Sequence, residues 1–320
     1  MNRKRIFMTG AGGCIGHYIA DALIRETDHE LFLLLRDPGK LRFDYQMRPG
    51  IKILQGDMRS IAQYSDLLKE MDTAILTATS WGGEQEAYEI NVQRTEELID
   101  LLDPAVCEQI IYFSTASILD QQNQPLAVAG QVQGQDYIRS KYLGFQKLQQ
   151  SPMFAKMTVL FPTIVFGGNE RFPKSPLTAG LGDVMRWVPL ARFFKADASF
   201  HFIHGRDIAE VVRHFVDVPP APGESRQFVL GNDRLTVEAL VGELAAYFGQ
   251  RIYFQVPLTQ AWVNFFIKVF RIQIGEWERF AINHRHFTHQ NVVNPASFGR
   301  QTFYPTLSSV LQVCGIAPKR

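Results

Sequence analysis

The first half of the chain alternates short, almost wholly apolar runs with longer stretches in which apolar residues recur at helical spacing. Runs at 5–9, 30–35, 51–55, 73–77, 109–114 and 157–161 read as strands, and several are apolar enough to be buried on both faces. Helical patterns at 15–25, 64–71, 88–102 and 137–149 separate them. This rhythm predicts an α/β fold with a parallel sheet covered by helices. It breaks after Phe166, where residues 167–200 carry Gly, Pro and scattered aromatics. A second set of elements follows: a helix after Asp207, a strand near 227–230 and a helix over 237–248. We expect a first domain over residues 1–166 and a smaller mixed α/β C-terminal domain over 167–320, with segments near 200–216 packing back on the first. Asp207 suits a helix N-cap, with Ile208, Val211, Val212 and Phe215 facing inward.

One stretch departs from this pattern. Over residues 260–282, Asn264, Lys268, Arg271 and Glu278 or Arg279 form a narrow polar stripe. Trp262, Phe265, Phe266, Val269, Phe270, Ile272 and Trp277 cover most of the remainder. Such a helix needs cover: burial in the small domain, a place over an apolar substrate, or docking on a protein or membrane surface. It is too interrupted to supply the roughly 20 apolar residues of a membrane span.

Composition adds exclusions. The 33 Lys+Arg balance 32 Asp+Glu to a net +1, which gives no global field for nucleic acid. Cys14, Cys107 and Cys314 form no C-x-x-C pair, so neither a disulfide framework nor a zinc site is indicated, and a reducing cytoplasm is the expected compartment. Behind the basic start only Ile6, Phe7 and Met8 precede glycines, too few for a cleaved leader. His284, His286 and His289 lack a carboxylate or cysteine at ligand spacing; they read as a solvated or partner-facing cluster, with no metal.

The chemistry begins at Thr9-Gly10-Ala11-Gly12-Gly13-Cys14-Ile15-Gly16, between a strand and a helix. Glycines there let a pyrophosphate approach the backbone N–H groups of a helix N-terminus. The spacing T-G-x-x-G-x-x-G resembles the short-chain dehydrogenase/reductase superfamily, and the length points to its extended, epimerase/dehydratase-like branch. Further segments agree, in order: Arg36-Asp37 after the second strand, Gly56-Asp57-Met58 after the third, Asn91-Val92-Gln93-Arg94-Thr95, Ser114-Thr115-Ala116-Ser117, and Tyr137-Ile138-Arg139-Ser140-Lys141. Phe161-Pro162-Thr163-Ile164-Val165-Phe166-Gly167 closes the series. Arg94 and Phe161 depart from the family's usual Gly and Arg.

The resemblance implies a Rossmann-type doubly wound sheet and a nicotinamide cofactor. Gly10, Gly13, Cys14, Ile15, Gly16, Arg36, Asp57, Met58, Thr77, Ala78, Tyr137, Lys141, Pro162 and Val165 would bind the cofactor. Thr115, Tyr137 and Lys141 would be catalytic. Lys141 shares a helix face with Tyr137, and an ammonium beside a phenol favours the phenolate. Thr115 would hold the substrate oxygen, with Ser114 and Ser117 as alternatives. Arg36 stands where an acid would select NAD, so NADP(H) is favoured, although Asp37 is able to meet a ribose hydroxyl. Lys40 either adds charge there or is a solvated loop lysine. Trp81, Phe172, Trp187, Phe193 and Phe194 border the substrate in related chains or belong to the core. The absence of Asp-Glu after Thr115 argues against nucleotide-sugar chemistry. The expected activity is NADPH-dependent reduction of a carbonyl on a small, fairly apolar substrate. An epimerase or dehydratase with tightly held cofactor, and a non-catalytic assembly or docking subunit that binds NADP(H), are the alternatives.

Overall fold

The computed structural model describes residues 3–132, 135–259, 262 and 275–318. Nine strands are labelled here: β1 (Arg5–Thr9), β2 (Glu30–Leu35), β3 (Ile51–Gln55), β4 (Thr73–Leu76), β5 (Gln109–Phe113), β6 (Met157–Pro162), β7 (Ile164–Phe166), β8 (Phe202–His204) and β9 (Gln227–Leu230). Seven form one parallel sheet in the order β9-β6-β5-β4-β1-β2-β3, the doubly wound arrangement of a Rossmann-type fold.

The sheet is apolar on both sides because successive side chains alternate. Phe7, Phe32 and Leu34 enter one core with Phe145 and Phe161. Ile6, Met8, Leu31 and Leu33 enter the other with Leu23, Val212 and Phe215. Helices are labelled α1 (Cys14–Glu26), α2 (Glu84–Tyr88), α3 (Arg94–Asp100), α4 (Asp136–Leu148), α5 (Pro176–Met185), α6 (Gly205–Asp217), α7 (Val237–Tyr247), α8 (Glu276–His284) and α9 (Leu307–Val313); α1, α3, α4 and α6 carry residues of the two cores on the sheet. A π-helical turn, Glu89–Gln93, joins α2 to α3. The helix expected over 64–71 is reduced to Ser65–Leu68, because Asp57 accepts a hydrogen bond from the Arg59 N–H at 2.8 Å and starts a run of 3-10 turns at Met58.

The strand at 227–230 does not stay with the later elements but completes the main sheet beside β6. Helix α6 packs against α1 through Ile208, Val211, Val212 and Phe215, as their spacing requires. Its N-cap is His204, whose Nδ1 accepts from the Arg206 N–H at 3.1 Å, and not Asp207. Asp207 is wholly buried in the first turn, where its carboxylate accepts from the Phe303 and Tyr304 N–H groups at 2.6 and 3.1 Å. Burial pushes its pKa up to about 6, against the pull of those two bonds. Asp207 thus ties the C-terminal segment to the sheet domain. A third core, with Phe166, Phe202, Leu244 and Val310, lies among α7, α9, β7 and β8.

Most of the apolar stretch at 260–282 lies outside the described residues, including Asn264, Lys268 and Arg271. Of its described part, Trp277 on α8 packs against the first core. The three nearby histidines are partly buried, and each has a partner within the chain. His284 stacks on Phe280, His286 Nδ1 meets Ser199 Oγ at 2.9 Å, and His289 Nδ1 meets the Asp120 carbonyl at 3.1 Å. Pairing of 286–287 with 199–200 brings His286 to Ser199, while Phe280 on α8 covers His284. No group of His, Cys, Asp and Glu able to hold a metal occurs among the described residues. Nor is any helix among them long and apolar enough to cross a membrane.

Candidate active site

The glycine loop is held to two strands at once. Thr77 Oγ1 donates to the Thr9 carbonyl at 2.6 Å, and the Ala78 N–H donates to Thr9 Oγ1 at 3.2 Å. Gly10 turns beneath this clamp with φ +77°, and a Cβ there would lie 2.5 Å from Thr77 Oγ1 and 2.6 Å from the Ala78 nitrogen. Gly16 packs directly on the Gly10 carbonyl, leaving no room for a side chain. Gly12 and Gly13 meet no such obstruction. Their lack of side chains keeps the space above the first turn of α1 open, where no side chain caps the helix. Gly10→Ala is expected to lower the unfolding free energy by about 2–3 kcal/mol, through backbone strain and overpacking. Denaturant unfolding of the cofactor-free protein measures it.

Cys14 and Ile15 follow on α1. Burial pushes the Cys14 thiol up to about 12, so it serves as packing, against Gly167 after β7. Tyr18, one turn later, accepts from the Gly168 N–H at 3.1 Å and stacks on Phe172 with ring centroids 4.3 Å apart. Sequence reading left Tyr18 out because a tyrosine on an amphipathic helix gives no local sign of a distant partner.

At the far edge of the loop, Arg36 extends into solvent, its side chain 73% exposed and its Nε 3.9 Å from Asp57 Oδ2. Asp37 is engaged elsewhere, accepting from the Gly39 N–H at 2.9 Å as the cap of a 3-10 turn. Met58 is buried beneath the Asp57 turn.

The second half of the site lies at the ends of β5 and β6. Lys141 is almost fully buried, and its Nζ donates to the Phe113 carbonyl at 2.8 Å. It lies 5.3 Å from the centre of the Tyr112 ring and 6.0 Å from that of Tyr137. Burial without a carboxylate pulls its pKa from 10.5 down to about 7. Tyr137 stands one turn earlier on α4; against the expectation that the neighbouring lysine favours its phenolate, burial raises its pKa, and only a hydrogen bond with Thr115 pulls the other way. The structure therefore brings Thr115, Tyr137 and Lys141 together. Of the alternatives, Ser117 bonds Thr115 Oγ1 at 3.3 Å, whereas the Ser114 hydroxyl is buried without a partner among the described residues.

Asn91, in the π-helical turn, holds the flank. Its Oδ1 accepts from Thr79 Oγ1 and the Ser80 N–H, and its Nδ2 donates to the Ser80 carbonyl and to Ser140 Oγ on α4. That places Trp81 over Tyr137, with the rings stacked 3.8 Å apart at 9°. The other expected border aromatics lie elsewhere: Phe172 on Tyr18, Trp187 in solvent, Phe193 on Phe254, and Phe194 in a two-residue strand beside Val256. Arg94 pairs with Glu89 and Glu97, and Phe161 fills the core against Phe145. Pro162 ends β6 buried, and Val165 lies partly buried on β7.

Beside Thr115 opens a cavity of about 480 Å³. Ala116, Ser117, Thr163 and Ile164 form its floor, with Ala198, Phe200, Leu258, Ile282 and Phe287 among its walls. His201 and His289 also line it, and burial lowers both pKa values, that of His289 to about 4, so both are neutral at physiological pH.

A doubly wound sheet, a glycine loop at the start of α1 and a Tyr-Lys pair after β5 define an extended short-chain dehydrogenase/reductase. The chain belongs to the NAD dependent epimerase/dehydratase family, whose profile matches residues 6–231. The short-chain dehydrogenase/reductase family 42E member 1 of Xenopus laevis is 26% identical over 123 residues, 37% of this chain and 31% of that protein. The match thus spans less than a third of the relative's length. Among solved structures, the terminal R domain of the myxalamid PKS-NRPS biosynthetic pathway superposes with a TM-score of 0.70 at 17% identity, covering 98% of this chain and 90% of that one. WbmG of Bordetella bronchiseptica, solved with NAD and UDP, gives 0.64 at 13% identity over 99% and 97% of the two chains. These two show the fold.

Proposed function

We propose that this protein uses NADP(H) to reduce a carbonyl on a small, fairly apolar substrate. The observation that carries the reading is Lys141. The buried Lys141 Nζ gives one hydrogen to the Phe113 carbonyl and keeps at least one more, two when it is protonated. The remaining hydrogen fits a hydroxyl of a cofactor ribose, and the open first turn of α1 at Gly12 and Gly13, with Gly10 and Gly16 packing the turn beneath it, fits a pyrophosphate. Cys14, Ile15, Asp57, Met58, Thr77, Ala78, Pro162 and Val165 would line the rest of the cofactor's path. When bound, the nicotinamide supplies hydride to the carbonyl carbon. Thr115 holds the carbonyl oxygen through its hydroxyl. Tyr137, kept protonated by burial, gives that oxygen its phenolic proton, and Lys141 in its protonated form would oppose the charge left on the phenol oxygen. The mainly apolar walls of the cavity support an apolar substrate.

Arg36 supports the choice of cofactor. Its guanidinium is exposed and held only loosely by Asp57, while the neighbouring carboxylate that would favour NAD, Asp37, is committed to its own turn. Purified protein should bind NADPH more tightly than NADH, and Arg36→Ala should remove most of the difference, about 1.5–3 kcal/mol for a charge-assisted bond to phosphate. Fluorescence titration with both cofactors measures it. Equal affinities in the native chain would sink the NADP(H) assignment.

A second reading rests on the family profile: an epimerase or dehydratase that keeps its cofactor through a transient oxidation. Cofactor that co-purifies with the protein, and turnover without net NADPH consumption, would favour it.

A further inference from the structure

We propose that the exposed apolar face of the C-terminal domain docks on an anionic lipid bilayer. Val184, Trp187 and Leu190 recur every third residue, each following the last through a backbone hydrogen bond, and form one exposed edge after α5. Trp187 is 65% exposed. Tyr253, Phe254 and Val256 form a second edge, in which Tyr253 is 74% and Phe254 61% exposed. The two edges are one surface. Arg192 donates to the Arg251 carbonyl at 3.1 Å, Phe193 stacks on Phe254 at 5.2 Å, and the Val256 N–H donates to the Phe193 carbonyl at 2.8 Å.

Tryptophan and tyrosine, amphipathic rings suited to the headgroup level of a bilayer, stand here beside aliphatic residues that would enter its apolar layer. The charge on this face is basic. Arg186 and Lys195 have carboxylate partners in Asp183 and Glu238, but Arg192 and Arg251 have no carboxylate within ion-pair distance among the described residues. Arg251 is exposed beside these rings, and the partly buried Arg192, which packs over Phe193 and bonds the Arg251 carbonyl, adds a second positive charge beneath it; together they complement anionic headgroups. They disfavour a two-fold pairing of this face with a second copy, which would bring like charges together.

The same strands lead inward. Phe194–Lys195 continues into Ala196, Ala198 and Ser199, and Val256–Pro257 into Leu258, all of which line the cavity beside Thr115. On the carbonyl-reduction reading, an apolar substrate held in the bilayer would thus meet the cavity wall where the docking face ends. Docking itself does not rest on that reading.

The test uses the full chain with vesicles of phosphatidylcholine alone and of an equimolar mixture with phosphatidylglycerol, read by co-sedimentation. The native protein should sediment with the anionic vesicles and much less with the neutral ones. Joint Trp187→Ser and Phe254→Ser substitution should lower binding about tenfold or more, and Arg192→Gln with Arg251→Gln should erase the preference for anionic lipid. All variants should keep the native urea-unfolding midpoint and far-ultraviolet circular dichroism, which shows that they fold. No binding by the native chain, or binding that the serine pair leaves intact, overturns the proposal. So does a concentration-dependent dimer in sedimentation velocity that the serine pair dissolves while vesicle binding is absent. Because co-sedimentation needs no turnover, failure of the reductase reading would leave this result standing.

Discussion

Tyr137→Phe is expected to lower the rate of carbonyl reduction by about 10²–10⁴, the span that a single positioned proton donor commands. The ring, its stack against Trp81 and the packing of α4 all survive the change. Only the hydroxyl beside Thr115 is lost. NADPH affinity should therefore change far less than the rate, since the ring that borders the cofactor is kept and the lost hydroxyl acts chiefly on the substrate oxygen. Single-turnover kinetics with pre-bound NADPH separate the two effects. A variant that retains turnover would show that another group protonates the product, and the assignment of Tyr137 as acid would fall.

Lys141→Met has the second large effect, in the opposite direction for stability. The native lysine falls from 10.5 to about 7, which corresponds to roughly 5 kcal/mol of disfavour for the buried ammonium relative to the unfolded chain. Below pH 7 the folded state carries that whole cost. Between pH 7 and 10.5 the unfolded chain binds more protons than the folded one, so the stability of the cofactor-free native protein rises with pH across this window. Methionine removes the cost. At pH 6 the variant should exceed the native protein by at least about 2 kcal/mol after the loss of the bond to Phe113 is counted, and the gap should close towards pH 10. Urea unfolding at both pH values measures this. Added NADPH should stabilise the native chain and not the variant; equal stabilisation of both would remove Lys141 from the cofactor site.

Much of this site was legible because its determinants are local. Gly10 and Gly16 are fixed by a tight turn and a close backbone approach, and Tyr137 and Lys141 by one helical turn; both are spacings along the chain. The strands were legible because burial on both faces leaves continuous apolar runs. What was missed depends on residues far apart. Asp207 looked like a helix cap, but its partners are Phe303 and Tyr304, and no periodicity announces them. The contact of His286 with Ser199 was not legible because the pairing of His286–Phe287 with Ser199–Phe200 is set by tertiary contact. Trp81, read as a border residue, does stand over Tyr137, but the means, Asn91 fixing its loop from another helix, was not legible.

The placement of β9 has a consequence for how the chain acquires its fold. Strand β6, with Val159, Leu160 and Phe161 at its centre, has β5 on one side and depends on residues 227–230 for the other. Until those residues leave the ribosome, a parallel strand with open hydrogen-bonding groups stands at the edge of an otherwise assembled sheet. Such an edge recruits strands from other chains. Pausing of synthesis between β6 and β9 therefore exposes this protein to aggregation at the same edge that the finished molecule closes.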